Sequence, residues 1–218
     1  MSLAPRRRLV VLISGGGSNL QAFLDAARDP AYPCEVVAVI SNKTGVFGLE
    51  RAARAGIPAE VLDHTAFPTR EAFDAALAEC IDAHAPDLVI LAGFMRILTP
   101  AFVRRYAGRL LNIHPSLLPK YPGLHTHQRA IDEGIRIHGC TVHFVTADLD
   151  HGPVVVQAAV AVHPDDTEAS LAARVLAEEH RIYPQAVRWF AEDRLRLVDG
   201  KVNVTAASFT GSLCVPAI

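Results

Sequence analysis

Several features that mark broad functional classes are scarce in this chain of 218 residues. The formal net charge is −2 and no basic tract extends beyond Arg6-Arg7-Arg8, so the basic stripe expected of a nucleic-acid-binding protein is missing. The apolar run that follows, residues 9–13, stops at three glycines and is too short for a signal sequence or a membrane span. The four cysteines include no CxxC pair, which favours buried thiols over disulfides or a zinc site. We expect a cytoplasmic protein with small-molecule partners, and neither nucleic acid nor membrane as a partner.

Half of the residues are apolar, which suffices for one large domain. In the first 145 residues, short runs rich in branched side chains alternate with helical patterns, and such runs are typical of strands buried on both faces. The predicted strands are residues 9–13, 35–40, 59–63, 87–93 and 109–114. The predicted helices are residues 19–28, 47–55 and 69–84 and a short one that begins at Thr99-Pro100. This alternation predicts an α/β fold with a doubly wound, mostly parallel sheet.

The last third of the chain has a different pattern. Residues 140–150 and 153–162 read as two strands joined by a corner, and a long helix is predicted over residues 167–191. A hairpin is predicted around Asp199-Gly200, and residues 206–218 show no pattern. The expected fold therefore adds a C-terminal antiparallel extension and a long helix to the parallel sheet.

The stretch ISGGGSNLQAFLDA (13–26) reads as a strand, a glycine-rich turn and the start of a helix. Such a turn lets the backbone approach an anion, which the N–H groups of the helix N-terminus then bind. The dinucleotide fingerprint GxGxxG would require glycine where Leu20 stands, and the second strand ends in Asn42-Lys43 without an acidic residue for a ribose. A mononucleotide phosphate therefore fits better than NAD; a tight turn that binds nothing is the alternative.

A second candidate site begins in LNIHPSLLPKYPG (111–123), where Asn112 and His114 share one face of a strand near its carboxyl end. The segment GFMRIL (93–98) and the corner DLDHGP (148–153) could reach the same edge of the sheet. A histidine near an aspartate can deliver a proton, and an asparagine amide can stabilise an oxyanion. No nucleophile elbow is present, so the residues suit acyl transfer to a nucleophile that belongs to a substrate. A buried polar pair without catalytic work is the alternative.

Five segments resemble the phosphoribosylglycinamide formyltransferase family: ISGGGSNLQ, SNKTGVFGLERA, LAGFMRILTPAFV, LNIHPSLLPKYPGLHTHQRA and HGCTVHFVTADLDHGPVVVQ. The similarity runs from about residue 8 to residue 190. It implies a Rossmann-like formyltransferase fold and transfer of a formyl group from 10-formyltetrahydrofolate to the glycyl amine of glycinamide ribonucleotide in purine biosynthesis. The folate is a co-substrate, and the resemblance implies no metal and no bound prosthetic group.

The resemblance also implies roles for matching positions. Asn112 would hydrogen-bond the tetrahedral oxyanion, His114 would supply a proton, and Asp150 would keep His114 protonated. The residues implied for the ribonucleotide are Gly17, Ser18, Asn19 and Glu179. Those implied for the formyl-folate are Arg70, Met95, Arg96, Ile97, Leu98 and Asn112, together with the segment 146–150. The chain is expected to form one domain over 1–218, with a phosphate-binding half at about 8–106, a catalytic and folate-binding half at about 107–194, and a hairpin and tail of unknown role at 195–218.

Two positions depart from the family pattern. Gly16 stands where some relatives carry asparagine, which makes the glycine turn more flexible. His151 follows the aspartate where a small residue is common, and it could crowd the folate loop or alter the pH profile.

Other functions remain to be weighed against this one. A methionyl-tRNA formyltransferase would need a further C-terminal domain, and an NAD-dependent oxidoreductase is disfavoured by Leu20 and Asn42. The alternatives left open are a 10-formyltetrahydrofolate hydrolase, which typically carries an additional N-terminal domain, and a catalytically silent nucleotide-binding module. The family habit of dimerising leaves a homodimer open.

Overall fold

A computed structural model describes residues 5–206, and these divide into two compact units. The first unit holds the described residues up to Asn112 together with Phe144–Ala147, and the second holds Ile113–His143 and the described residues from Asp148 onward. The strands are β1 (Arg7–Ile13), β2 (Cys34–Ser41), β3 (Ala59–Val61), β4 (Leu88–Leu91), β5 (Leu110–His114), β6 (Ile137–Phe144), β7 (Val154–Ala161), β8 (Leu195–Val198) and β9 (Lys201–Val204). The α-helices are α1 (Ser18–Ala26), α2 (Phe47–Arg54), α3 (Arg70–Ala83), α4 (Pro100–Arg105), α5 (Thr126–Asp132) and α6 (Glu168–Ala191).

The first unit is built on parallel strands in the order β3-β2-β1-β4-β5. Strand β1 lies at the centre, and its last five residues are fully buried. Val10 and Leu12 pack in a core cluster with Phe73 and Leu77 of α3 and Phe102 of α4. The chain reverses its winding between β1 and β4, which creates the crevice where open α/β sheets bind ligands. The prediction of a doubly wound, mostly parallel α/β sheet is confirmed.

Strand β3 is the exception to the predicted burial. The sequence pattern indicated a strand buried on both faces over residues 59–63, but all three residues of β3 are exposed. The prediction of burial was wrong here because β3 pairs only with β2, at the edge of the order, and is too short to carry an apolar face.

Three helices are capped by threonines at positions where the sequence predicted a helix to start. The side chain of Thr69 accepts a hydrogen bond from the N–H of Ala72, and Thr99 does the same for Phe102 at the start of α4. Thr167 and Ser170 form a reciprocal capping box at the start of α6. A cap of this kind stabilises a helix by about 1 kcal/mol.

The second unit contains the antiparallel pair β6 and β7, the helices α5 and α6, and the hairpin β8–β9. Its long helix α6 buries one face, which consists of the apolar residues Leu171, Val175, Ile182, Tyr183, Ala186 and Val187 together with Glu179. The hairpin turns at Asp199-Gly200, where both residues have positive φ, 49° and 73°. The predicted antiparallel extension, long helix and hairpin are confirmed.

The boundaries of two elements differ from the sequence pattern. The strand predicted over 140–150 begins earlier, at Ile137, and ends at Phe144, because the acidic residues that follow form a loop in which Asp150 has φ of 54°. The short helix α5 was not predicted, since its seven residues carry no apolar period.

The predicted tail, residues 206–218, lies outside the described residues from position 207 onward. In the described part of the chain, no helix is long and apolar enough to cross a membrane.

Gly139 provides a test of the β6–β7 register. A Cβ added at this position would collide with the carbonyl oxygen of Ala158 and would lie 3.0 Å from Leu117 Cδ2. Since a strand backbone cannot yield locally, Gly139→Ala should lower the free energy of unfolding by about 1–3 kcal/mol. Urea unfolding measures this, with Ala159→Ser, an exposed neighbour paired with Gly139, as the matched control. Equal stability of the two variants would contradict the register.

Candidate active site

The glycine turn connects the end of β1 to α1 and is packed against the start of α2. Gly17 caps α1 with φ of 68° and ψ of 36°, and a Cβ there would lie 2.8 Å from Gly48 Cα. A Cβ on Gly48 would in turn collide with Ile13 Cδ1. Glycine is therefore required at both positions because neither has room for a Cβ. At Gly17 the left-handed backbone conformation is a second reason.

The carbonyl oxygens of this turn are all bonded within the first unit. Gly15 O accepts from the N–H of Gly48 (3.1 Å), and Gly17 O accepts from the N–H of Gln21 (3.0 Å). Gly16 O accepts from Nε of Arg51 at 2.8 Å. With the carbonyls bonded to α1 and α2, the turn can present its N–H groups and the positive end of α1 to an anion. Ser18 and Asn19, the other residues predicted for phosphate, form the first turn of that helix.

A buried hydrogen-bond network ties the glycine turn to the loop after β4. Ser14 Oγ donates to Asn42 Oδ1 (2.5 Å) and accepts from the N–H of Met95 (2.8 Å). Nδ1 of His64 donates to the carbonyl of Asn42 at 2.9 Å. Sequence reasoning missed this network, although polar residues at the ends of two apolar strands were the signal that could have indicated it.

Five of the residues predicted for the folate, Arg70 and Met95 to Leu98, lie in the first unit on one loop and one helix start, whereas Asn112 lies on β5. Met95 and Ile97 are exposed by 65% and 55%, whereas Leu98 is buried in the core cluster. The guanidinium of Arg96 lies 5.8 Å from the ring centroid of Phe73 on α3. Arg70 is exposed one turn before Phe73, so the loop and the start of α3 are neighbours.

Strand β5 carries Asn112 and His114 two residues apart, so both side chains leave the strand on the same face. His114 is buried, and its Nε2 lies 2.8 Å from the carbonyl oxygen of Tyr121. Because a carbonyl only accepts, Nε2 carries a proton. Nδ1 lies 3.5 Å from Oδ2 of Asp150, which confirms that the predicted histidine and aspartate come together. The catalytic roles of these residues stay predictions.

Asp150 is held by its own set of contacts in the second unit. Its Oδ2 accepts from the N–H of Gly123 at 2.8 Å, and its Oδ1 lies 4.0 Å from Nε2 of His143. Tyr121 and Gly123 were not predicted as site residues because they contribute main-chain atoms, which side-chain patterns do not reveal. His143 is buried on β6 and was not among the predicted site residues, although it lies beside the carboxylate.

Glu179 is buried on α6 in the second unit, and its role toward the ribonucleotide stays a prediction. Burial, and then the charge of Glu179, raises the pKa of the Cys140 thiol to about 12, so this cysteine is inert as a nucleophile.

His151 is exposed and follows Asp150, and its Nδ1 donates to the carbonyl oxygen of Leu149 at 2.6 Å. The ring is thereby tied to its own loop. Among residues 5–206 no group of three or more His, Cys, Asp or Glu side chains is arranged to hold a metal ion.

A pair of histidines, His127 and His138, lies in the same unit as His114. Nε2 of His138 lies 3.2 Å from Nδ1 of His127, and the ring of His138 also contacts Tyr121 edge-on. Burial, and then the nearby His127, lowers the pKa of His138 to about 4. Burial also lowers the pKa of His127. Both rings are therefore neutral at physiological pH.

The sequence and the fold of the chain are similar to those of known proteins. The Formyl transferase family model matches residues 7–187. The chain is 58% identical over 189 residues to phosphoribosylglycinamide formyltransferase of Escherichia coli (strain K12), covering 87% of this chain and 89% of that protein. It is 47% identical over 193 residues to the enzyme of the same name from Haemophilus influenzae, covering 88% of this chain and 91% of the other. The crystal structure of glycinamide ribonucleotide transformylase 1 from Symbiobacterium toebii superposes with a TM-score of 0.89 at 51% identity, covering 91% and 94% of the two chains.

The His127–His138 pair predicts a pH dependence of stability. The unfolded chain binds a proton at position 138 below about pH 6.5, whereas the folded protein does so only below about pH 4, so stability falls as pH falls through this window. Between pH 7 and pH 5 the loss from His138 is up to about 2 kcal/mol. Urea unfolding at both pH values should show a smaller loss for His138→Gln than for the wild type. Equal losses would contradict the buried neutral state of this histidine.

Proposed function

The chain belongs to the formyl transferase family, and we propose that it transfers a formyl group from 10-formyltetrahydrofolate to the glycyl amine of glycinamide ribonucleotide. The products are formylglycinamide ribonucleotide and tetrahydrofolate, in a step of de novo purine biosynthesis. The observation that carries the proposal is the buried pair of His114 and Asp150, in which His114 follows Asn112 on strand β5. Relatives that bear the name of this activity, one of them 58% identical over most of both chains, support it.

The ribonucleotide phosphate would bind at the glycine turn. Gly17, Ser18 and Asn19 present main-chain N–H groups at the start of α1, and the positive end of the helix adds attraction for an anion. Glu179 would contact the ribonucleotide as well. On the donor side, the exposed apolar side chains of Met95 and Ile97 suit the flat ring system of a folate. The nearby Arg70, Arg96, Leu98 and Asn112 would complete that set.

The reaction needs no covalent enzyme intermediate. The glycyl amine attacks the formyl carbon, a carbon–nitrogen bond forms, and the carbonyl oxygen takes negative charge that the amide of Asn112 would stabilise. The bond to the donor nitrogen of the folate then breaks, and that nitrogen takes up the proton that Nδ1 of His114 supplies, since Nε2 stays bonded to the Tyr121 carbonyl. The proton lost by the amine returns to His114 by way of Asp150, so charge and protons balance.

The surroundings of His114 suit a proton donor. Its two ring nitrogens face the Tyr121 carbonyl oxygen and the Asp150 carboxylate, and both of these groups are acceptors. A ring protonated on both nitrogens therefore matches both partners, whereas a neutral ring turns a lone pair toward one of them.

The proposal has further parts that rest on the same family membership. The partners are small molecules only, no metal takes part, and the protein acts in the cytoplasm as one domain over 1–218. Its phosphate-binding half covers about 8–106 and its catalytic half about 107–194. A homodimer remains the open alternative to a monomer.

A steady-state assay tests the reaction. Purified protein is mixed with 10-formyltetrahydrofolate, and folate conversion is followed by absorbance with and without glycinamide ribonucleotide. We expect conversion that requires the ribonucleotide and yields one formylated product for each tetrahydrofolate. Conversion at the same rate without the ribonucleotide would identify a hydrolase instead. Binding of both ligands without conversion would identify a silent nucleotide-binding module.

The role of His114 has its own test. His114→Ala should lower kcat by about 10²–10⁴-fold, the range typical for loss of a general acid–base group. Circular dichroism should show an intact fold, and His163→Ala, which removes an exposed histidine of the same unit, should keep wild-type turnover. Near-wild-type turnover of the His114 variant would refute the assignment.

A further inference from the structure

Arg51 of α2 joins three parts of the first unit at the glycine turn. Its Nε donates to the carbonyl oxygen of Gly16 at 2.8 Å, and its Nη1 donates to Oε1 of Gln21 on α1 at 3.0 Å. Its guanidinium also lies over the ring of Phe47, 4.8 Å from the centroid. The site residues proposed above do not include it, and its guanidinium contacts the turn directly.

The middle peptide of the turn depends on this side chain. The carbonyls of Gly15 and Gly17 are bonded to main-chain N–H groups, but that of Gly16 is bonded to a side chain. Gly16 is exposed, its φ lies outside the left-handed region, and a Cβ there would meet nothing within 4 Å. Three successive glycines have more conformational freedom than other residues, so the turn needs fixed points to keep one conformation.

Fixing the carbonyl of Gly16 also fixes the N–H of Gly17. The two groups belong to one planar trans peptide and point in opposite directions. A guanidinium bonded to the carbonyl on one side therefore directs the N–H to the other side. Gly17 is one of the residues proposed above to bind the phosphate.

We propose that Arg51 is a positioning residue for the ribonucleotide phosphate: by binding the Gly16 carbonyl it orients the Gly17 N–H toward that anion. The inference rests on the proposed function, since it takes the phosphate of the ribonucleotide as the ligand of the turn. Its effect belongs to the binding of the ribonucleotide and leaves the chemical step and the folate side unchanged.

The test compares Arg51→Met with a matched variant on the same helix. Arg54 also lies over Phe47, 5.3 Å from the centroid, but its Nη2 donates to Oε2 of Glu50 on the same helix. Arg51→Met should raise the KM for glycinamide ribonucleotide by about 10-fold, in line with the loss of a charge-assisted hydrogen bond. The KM for 10-formyltetrahydrofolate and kcat should change less than 2-fold, as should every constant of Arg54→Met. An unchanged ribonucleotide KM in Arg51→Met, or an equal rise in both KM values, would overturn the proposal.

A second substitution separates orientation from charge. Gly16→Ala restricts the turn without filling occupied space, so it should replace part of what Arg51 provides. In this background, Arg51→Met should raise the ribonucleotide KM by no more than about 3-fold. If Arg51 acted through its positive charge alone, the same 10-fold factor would appear in both backgrounds, and the positioning role would be refuted.

Titration calorimetry with glycinamide ribonucleotide distinguishes failure of this proposal from failure of the proposed function. Weaker binding by Arg51→Met alone supports the positioning role even where turnover is absent, in which case only the proposed reaction fails. Equal binding by the wild type, Arg51→Met and Arg54→Met overturns the positioning role and leaves the proposed reaction standing. No binding by the wild type overturns both.

Discussion

The imidazole of His114 lies between two acceptors, and the proposed proton transfer depends on this arrangement. The carbonyl of Tyr121 fixes a proton on Nε2, and the carboxylate of Asp150 faces Nδ1. Tyr121 and Asp150 both have positive φ, 56° and 54°, a conformation that is uncommon for residues other than glycine. The fold holds these conformations through contacts such as Tyr121 Oη with Glu133 and Asp150 with the N–H of Gly123. Local backbone strain therefore accompanies the orientation of a single histidine ring.

The glycine turn in the first unit is likewise held in one conformation by contacts from neighbouring elements. Strong packing of Gly17 against Gly48, and hydrogen bonds to the carbonyls of the turn, fix the direction of its N–H groups. In the second unit main-chain groups orient the side chains of His114 and Asp150, whereas in the first unit the side chain of Arg51 bonds to a main-chain carbonyl of the turn. Such positioning lowers the entropy lost when substrates bind.

Much of the fold follows from the sequence because buried parallel strands are apolar throughout. The runs that became β1, β2, β4 and β5 were found for this reason, and threonine caps located the starts of α3, α4 and α6. Period-2 alternation placed Asn112 and His114 on one face of β5. The exposure of β3 and the early end of β6 could not be predicted, since edge position and loop conformation depend on distant parts of the chain.

The site was predictable only in its side chains. The resemblance and the strand pattern together identified His114 and Asp150, and the structure brings them together. The Tyr121 carbonyl, the Gly123 N–H and the Arg51 contact to Gly16 involve main-chain atoms that every residue possesses. Only the folded backbone determines which of these atoms face a functional side chain.

The most direct test of the account is ¹⁵N NMR of the His114 ring at a pH where it is neutral, assigned by comparison with His114→Ala. The account predicts the tautomer with the proton on Nε2, because the Tyr121 carbonyl can only accept. A neutral ring protonated on Nδ1 instead would contradict the orientation on which the proposed proton transfer depends.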